Sequence, residues 1–435
     1  MAAAEAISFY EASVSRGPAR AALQGRVDAR VCIVGGGFAG LNTALGLVER
    51  GLDGVMLLEA ESVGHGASGR NGGFVFGGYS LDGPALVAQI GANAARQLYG
   101  LTTAAVQLIR QRIDRHGIDC DVTEAGALLC NWFTDEKILR RRQREMADCF
   151  GVDWQFIDGN TLRAQHVRSV RYHGALFEPD AFHFHPLKYT LGLARAAEAG
   201  GARVFENSAA RSVQRKGAAF EIDTDAGVIS AEQVVIAGGG YLGSGLVPAL
   251  ERALLPIATY VMNTEPLGDR LRALLPSRAA IYDTRFAFDY YRALPDTRLL
   301  WGGRISIRER APQDIARFLR ADMLRVFPAL HDAKVEHAWG GLMSYARHQM
   351  PQIGRLRGGR CDGAWYGLGF GGHGVAPTTA AGELLADAVS GHKPVPAGFA
   401  AFGLPPVWGI AGKLAAQAQY SWAELKDHWR EGFNR

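Results

Sequence analysis

The chain has 435 residues, of which 48% are hydrophobic and 21% charged, and carries a formal net charge of +4. This is a globular composition, long enough for two domains, and it excludes a disordered tail or a collagen-like rod. The charge excess is too mild for a dedicated nucleic-acid binder: the one dense basic run, Lys137-Ile-Leu-Arg140-Arg141-Arg142-Gln-Arg144, falls in a helical stretch and reads as a solvated helix face.

Val31-Cys-Ile-Val34 is a short apolar run that predicts a buried parallel strand. It enters Gly35-Gly-Gly37-Phe38-Ala39-Gly40, after which residues 41–48 have helical spacing. Val55-Met-Leu-Leu-Glu59 predicts a second strand and completes a strand–helix–strand unit. Residues 61–80 are glycine-rich and predicted irregular. One or two long helices are predicted over 84–117, with Gly91 and Gly100 as breaks, then a strand over 121–130 and a helix over 135–149. Further on come a helix over 187–199, short strands over 203–236, and strands over 255–263, 279–292 and 298–303. Helices are predicted over 311–326 and 380–389, and one or two amphipathic helices over 407–430.

Glycine is over-represented, at 55 of 435 residues, against a usual ~7%. There is no Gly-x-y repeat, so the excess serves tight turns and close backbone approaches. The clusters fall near 35, 66, 238 and 371. If they converge on one ligand, the binding domain is discontinuous. The expected architecture is then mixed α/β: a Rossmann-like domain from 1–80, 155–250 and 350–400, an inserted antiparallel-sheet domain from 81–154 and 251–349, and C-terminal helices over 401–435. The five cysteines are widely spaced without a Cys-x-x-Cys, which argues against disulfides or zinc and for a cytoplasmic location. No signal peptide and no membrane span is expected. His183-Phe-His185 invites a metal reading, but no third ligand follows at suitable spacing, so no metal is expected.

Gly35-x-Gly37-x-x-Gly40 stands where a dinucleotide fingerprint must stand. The first glycine permits the sharp turn, the second lets a diphosphate approach the backbone, and the third lets helix and strand pack closely. The helix N-terminus offers free N–H groups to phosphates. Glu59, 24 residues after Gly35, can accept hydrogen bonds from a ribose diol. A nicotinamide domain would continue with strand–helix alternation, whereas here the second strand runs into Gly64-His-Gly66-Ala67-Ser68-Gly69-Arg70-Asn71-Gly72-Gly73.

With that segment the chain resembles the FAD-dependent amine and amino-acid oxidoreductases of the D-amino-acid oxidase and sarcosine oxidase type, and within them the branch of gamma-glutamylputrescine oxidoreductase. The resemblance also rests on His185-Pro-Leu-Lys-Tyr189, Val235-Ile-Ala-Gly238-Gly239, Asp289-Tyr-Tyr291-Arg292 and Gly369-Phe-Gly371-Gly372-His373-Gly374-Val375. It implies FAD, with its adenine half on the first strand–helix–strand unit, including Phe38, Ala39 and Ala60. It further implies that Ser68 to Gly73 runs along the pyrophosphate and flavin, that Gly371 to Val375 faces the flavin ring, and that adenine meets the backbone near Val213.

Two departures from that family carry weight. Relatives that bind FAD covalently use a cysteine before the last glycine cluster; Gly340-Gly341-Leu342-Met343 has none, so non-covalent FAD is expected. Lysines that grip a carboxylate or promote reaction with oxygen are replaced here by Ala376 and Leu300. The electron acceptor is therefore oxygen or another compound.

The expected reaction is oxidation of a C–N bond in a secondary amine or polyamine derivative, of the gamma-glutamylated diamine kind, by hydride transfer to flavin N5. The resulting imine would hydrolyse. His373, Tyr291, Arg292, Trp301 and Met343 are the candidate residues around the reacting centre: aromatic faces attract an amine cation, and Arg292 could hold a carboxylate. His373 could touch the flavin without serving as a base. The rival readings are an amino-acid dehydrogenase of the same fold passing electrons to a quinone, with membrane contact through 407–430, and a non-catalytic flavin-binding subunit. A nicotinamide dehydrogenase is a fourth.

Overall fold

A computed structural model describes residues 7–433 of the chain. The apolar run at 31–34 is the inner end of a longer strand, Gly25–Val34, which lies parallel between Val55–Leu58 and Gly227–Ile236. Arg203–Phe205 and Trp365–Leu368 extend the parallel set on either side. Gln352–Arg355 closes one edge antiparallel, and the hairpin Ser212–Lys216/Ala219–Asp223 folds against Gly227–Ile236. Alternation along the central strand feeds two cores. Val31 and Ile33 join a cluster with the helices Phe38–Glu49, Pro186–Ala199 and Val375–Val389, while Cys32 and Val34 join one with the hairpin. Burial on both faces is why the run is apolar throughout.

The second sheet runs in the order Val335–Tyr345, Leu255–Thr264, Leu299–Ser306, Tyr290–Ala293, Ala280–Asp283, Ala127–Cys130, Gly174–Glu178, Gln155–Asp158. Its pairs are antiparallel except that between Ala280–Asp283 and Ala127–Cys130. One face is covered by the helix Pro312–Val326 and forms a separate core that includes Leu319, Met323, Tyr291 and Trp301. The other face looks toward the glycine loops.

Two boundaries differ from expectation. The strands Gln155–Asp158 and Gly174–Glu178 belong to the second sheet, although 155–250 was expected with the first. Conversely, the helix Ala92–Arg115, expected in the inserted part, buries Leu98, Val106 and Ile109 in the first core. Its Arg112 is fully buried and bonds Glu49 at 2.6 Å, Glu383 at 2.5 Å and Asn42 at 2.6 Å, all on first-domain helices. Helical periodicity predicts a buried stripe but not the sheet that receives it. The break falls at Gly91, with φ +81°, and Gly100 stays inside the helix.

The C-terminal segment is one helix, Gly409–Phe433. It is moored to the second sheet through side-chain acceptors: Tyr420 Oη accepts from the Ile305 N–H at 3.3 Å, Gln417 Oε1 from Ile307 at 3.2 Å, and Asp427 Oδ2 from Phe286 at 2.8 Å. Among the described residues, no helix is long and apolar enough to cross a membrane.

Candidate active site

The fingerprint turn lies at the carboxyl end of the central strand. Gly35 has φ +117°, and a Cβ there would stand 2.6 Å from the Ala237 carbonyl oxygen, so only glycine fits. Gly37 caps the helix Phe38–Glu49 with no side-chain bond. Among the described residues the N–H groups of Gly37 and Ala39 bond nothing, while that of Phe38 donates to Ser68 Oγ at 2.8 Å. Unpaired N–H groups at the positive end of a helix form a cradle for phosphate. A Cβ on Gly40 would strike the Gly35 carbonyl, so this glycine serves close helix–strand packing.

Glu59 follows the second parallel strand. Its Oε2 accepts the Gly36 N–H at 2.7 Å and its Oε1 the Glu61 N–H at 3.0 Å. Burial pushes this carboxyl above its ordinary range, against those backbone donors. A carboxylate accepts about four hydrogen bonds, so capacity remains for a ribose diol.

The turn after Gly66 is stapled by Asn71. Its Nδ2 donates to the carbonyls of Ala67 at 3.0 Å and Ser68 at 2.9 Å, and its Oδ1 accepts from the Gly73 N–H at 2.8 Å. Arg70 donates to the His65 carbonyl at 2.7 Å, and Trp339 Nε1 donates to the Arg70 carbonyl at 2.9 Å. A Cβ on Gly72 would lie 2.5 Å from the Tyr290 ring. The loop from Gly371, φ +62°, receives its anchor where the Gly371 N–H donates to the Ser344 carbonyl at 2.7 Å. It feeds the helix Val375–Val389 through Gly374, which again makes no side-chain cap. His373 lies in this loop with Nε2 3.3 Å from the Gly77 carbonyl. Burial pushes its pKa down to about 4, so the ring is neutral near pH 7.

One cavity of about 1520 Å³ joins these loops to the inner face of the second sheet. Of the residues expected around the cofactor, Gly35, Gly37, Phe38, Ala39, Glu59, Ala60, Gly66, Ala67, Ser68, Arg70, Asn71, Gly72, Gly238, Gly371, Gly372, His373, Gly374 and Val375 line it. Gly40 and Gly73 lie just behind the wall. Val213 does not reach it: it is fully buried within the hairpin, its carbonyl accepting from Cys361 Sγ, and Ala209 to Arg211 line the cavity instead. None of the five cysteines lines the cavity.

The expected substrate-side residues divide by strand parity. Met343 and His373 line the cavity. Tyr291 and Trp301 point to the reverse face, where their rings stack at 4.3 Å and 2° in the second core and Tyr291 Oη donates to Tyr172 Oη at 3.2 Å. Arg292 is on the inner face but behind the turn. Its Nε donates to the Gly72 carbonyl at 2.7 Å and its Nη2 to the Phe184 carbonyl at 2.8 Å, so it braces Gly72 rather than meeting a ligand. The two histidines of the 183–185 run are likewise occupied: His183 Nε2 is 2.9 Å from the Arg278 carbonyl, and His185 caps the helix Pro186–Ala199.

Sequence reasoning missed Phe74, Phe76, Tyr282 and the acid Glu178, all of which line the cavity. Alternation beyond Gly73 could have flagged Phe74 and Phe76. Nothing local distinguishes Glu178, whose position depends on a strand pairing remote in sequence. The helix Gly409–Phe433 supplies part of the wall through Ala416 and Gln419.

Comparison with known proteins agrees with this geometry. A family described as DAO, FAD dependent oxidoreductase, matches residues 30–388. The chain is 36% identical over 387 residues to the gamma-glutamylputrescine oxidoreductase of Escherichia coli strain K12, covering 88% of this chain and 89% of that one. It is 30% identical to a probable oxidoreductase, OrdL, of Haemophilus influenzae, covering 92% and 93%. Among solved structures, glycine oxidase from Geobacillus kaustophilus superposes with a TM-score of 0.71 at 21% identity, over 87% of this chain and 98% of that one. L-amino acid deaminase from Proteus vulgaris does so with 0.71 at 21%, over 89% and 99%.

Proposed function

The chain belongs to the DAO family of FAD-dependent oxidoreductases, and on that premise we propose that its substrate is a gamma-glutamylated diamine or a closely related amine. It is an FAD-dependent oxidoreductase acting on the C–N bond of an amine or amino acid. The observation that carries the narrower reading is the continuous cavity. At about 1520 Å³ it runs from the three glycine loops along an aromatic sheet face, which supports room for an extended amine beside the cofactor. Ala376, buried at the start of the helix Val375–Val389, offers no cation to grip a carboxylate beside the loop.

FAD, when bound, supplies the two-electron acceptor for a hydride leaving the carbon next to nitrogen. The unpaired N–H groups at Gly37 and Ala39 would hold its diphosphate, and Glu59 the adenosine ribose. The Gly371–Gly374 loop and the positive end of the helix after it would stabilise negative charge on the redox-active ring system. Phe74, Phe76, Tyr282 and Tyr290 exclude water, and a dry aromatic wall favours the neutral, reactive amine. His373 is neutral and donates to Gly77, so it shapes the loop without taking a proton. We assign the protein to the cytoplasm. Incubation with gamma-glutamylputrescine should yield the corresponding aldehyde in step with amine loss. Peroxide formed in air would mark an oxidase, and dependence on an added dye a dehydrogenase.

One observation favours a second reading, an amino-acid dehydrogenase that delivers electrons at a membrane surface. The outward face of Gly409–Phe433 exposes Ile410, Leu414, Trp422, Leu425 and Trp429. Its acids Glu424, Asp427 and Glu431 instead turn inward to Arg304, Phe286 and Arg325, leaving Lys426 and Arg430 outside. Sedimentation with anionic vesicles, compared with neutral ones, separates the two readings.

A further inference from the structure

Glu178 ends the strand Gly174–Glu178, on the sheet face that lines the cavity. The residue is only 6% exposed. Tyr282 Oη donates to its Oε1, and among the described residues no other hydrogen bond and no ion pair reaches the carboxylate. Burial pushes its pKa up to about 7, opposed by the Tyr282 hydroxyl and by the field of Arg142. A buried acid without a cationic partner is costly unless a cation arrives from elsewhere.

The surroundings say where that cation comes from. The Tyr282 ring stacks on Phe76 at 5.7 Å, and Phe76 meets His373 at 4.4 Å, so Glu178 belongs to the chamber that opens at the Gly371–Gly374 loop. Arg142 lines the same arm. Its nearest carboxylate, Glu145, is 4.0 Å away, so the guanidinium retains free donors. An acid and a base thus face one recess that is walled by Trp154, Leu129 and Met146. The recess is remote from the turn at Gly72. Tyr290, against Gly72, stands three strands from Glu178 in the sheet order, roughly 14 Å at ~4.8 Å per strand. In a gamma-glutamylated diamine the glutamyl α-carbon is eight bonds from the carbon that reacts, about 10 Å when extended.

We propose that Glu178 and Arg142 form a subsite for a zwitterionic α-amino-acid head group at the unreactive end of the substrate. Glu178, oriented by Tyr282, takes the α-ammonium, and Arg142 takes the α-carboxylate. The inference rests on the gamma-glutamyl reading of the substrate and adds the groups that select it.

The test compares four amines sharing one reacting end: gamma-glutamylputrescine, glutarylputrescine (carboxylate only), 4-aminobutyrylputrescine (ammonium only) and N-acetylputrescine (neither). The wild-type holoenzyme should show a kcat/KM for gamma-glutamylputrescine about tenfold or more above either singly charged analogue. Glu178→Gln should erase the preference over glutarylputrescine, and Arg142→Gln the preference over 4-aminobutyrylputrescine. Both variants should keep the wild-type kcat/KM for N-acetylputrescine, which also reports that they fold and hold FAD. Equal rates of all four amines with the wild-type enzyme would overturn the subsite, whatever the variants do, yet leave amine oxidation standing. Failure of every amine to reduce the flavin would remove the gamma-glutamyl reading itself. A preference that survives Glu178→Gln would overturn the role given to that residue.

Discussion

Glu59 already binds two backbone N–H groups before any nucleotide arrives. Those bonds fix the carboxylate so that its remaining lone pairs face the cavity. Glu59→Gln keeps the shape and removes the charge, and it should weaken FAD binding about tenfold, read as FAD released in equilibrium dialysis. The buried histidines make a prediction about pH. Burial first, then Arg292, pushes His183 and His185 down to about 3. Folded, they stay neutral; unfolded, they protonate near pH 6.5. The unfolded chain therefore binds more protons between pH 3 and 6.5, and stability falls as pH drops through that window. Denaturant melts should lose about 2–4 kcal/mol from pH 7 to pH 5. His185→Asn, which can still cap the helix, should remove about half of that loss; an unchanged pH slope would contradict the assignment. At this scale the sequence was legible where a residue's job is backbone geometry, as at Gly35 or Glu59. It was not legible for Tyr291 and Trp301, because period-two alternation reveals that faces differ but not which one meets the cavity.

Among the elements, the helix Ala92–Arg115 shows how an insertion is tied to the domain that it leaves. Arg112 spans Glu49 on one helix and Glu383 on another, and Arg50 also pairs with Glu383 at 3.0 Å. Both acids are only partly buried and Arg50 still holds Glu383, so Arg112→Met, which loses the bonds of a fully buried guanidinium, should cost about 1–3 kcal/mol in urea unfolding; a change below ~0.5 kcal/mol would mean that these pairs contribute nothing. The helix itself was legible from its periodicity, but its packing partner was not. The strand Trp365–Leu368 was hidden inside a glycine cluster. Gly367 is there because a Cβ would come within 2.8 Å of Leu385 on the helix Val375–Val389. A strand built for close helix approach thus reads locally as a loop. The C-terminal helix was legible as amphipathic, yet its inner face is set by side-chain acceptors such as Tyr420 and Asp427 rather than by an apolar stripe.

Across the whole molecule, glycine turns more than 300 residues apart, at Gly35 and Gly371, open onto one cavity. Their convergence follows from the central parallel sheet, which sets Gly25–Val34 beside Gly227–Ile236 and that strand beside Trp365–Leu368. Each loop leaves the carboxyl end of one of these adjacent strands, where ligands of open α/β sheets gather. The second sheet closes the chamber opposite, and its floor reaches from Met343 to Glu178. The spacing of the glycine clusters hinted at this convergence. The floor could not be foreseen, because it depends on pairings such as Ala127–Cys130 with Gly174–Glu178 that no local pattern announces. The central claim is that this single chamber holds FAD at its glycine loops and an amine along its sheet. Mixing the FAD-loaded protein with gamma-glutamylputrescine in the absence of oxygen tests it most directly. The account predicts that the yellow flavin absorbance bleaches, with one equivalent of aldehyde formed per flavin. Flavin that stays yellow with that compound and with the whole range of amines and amino acids would contradict it.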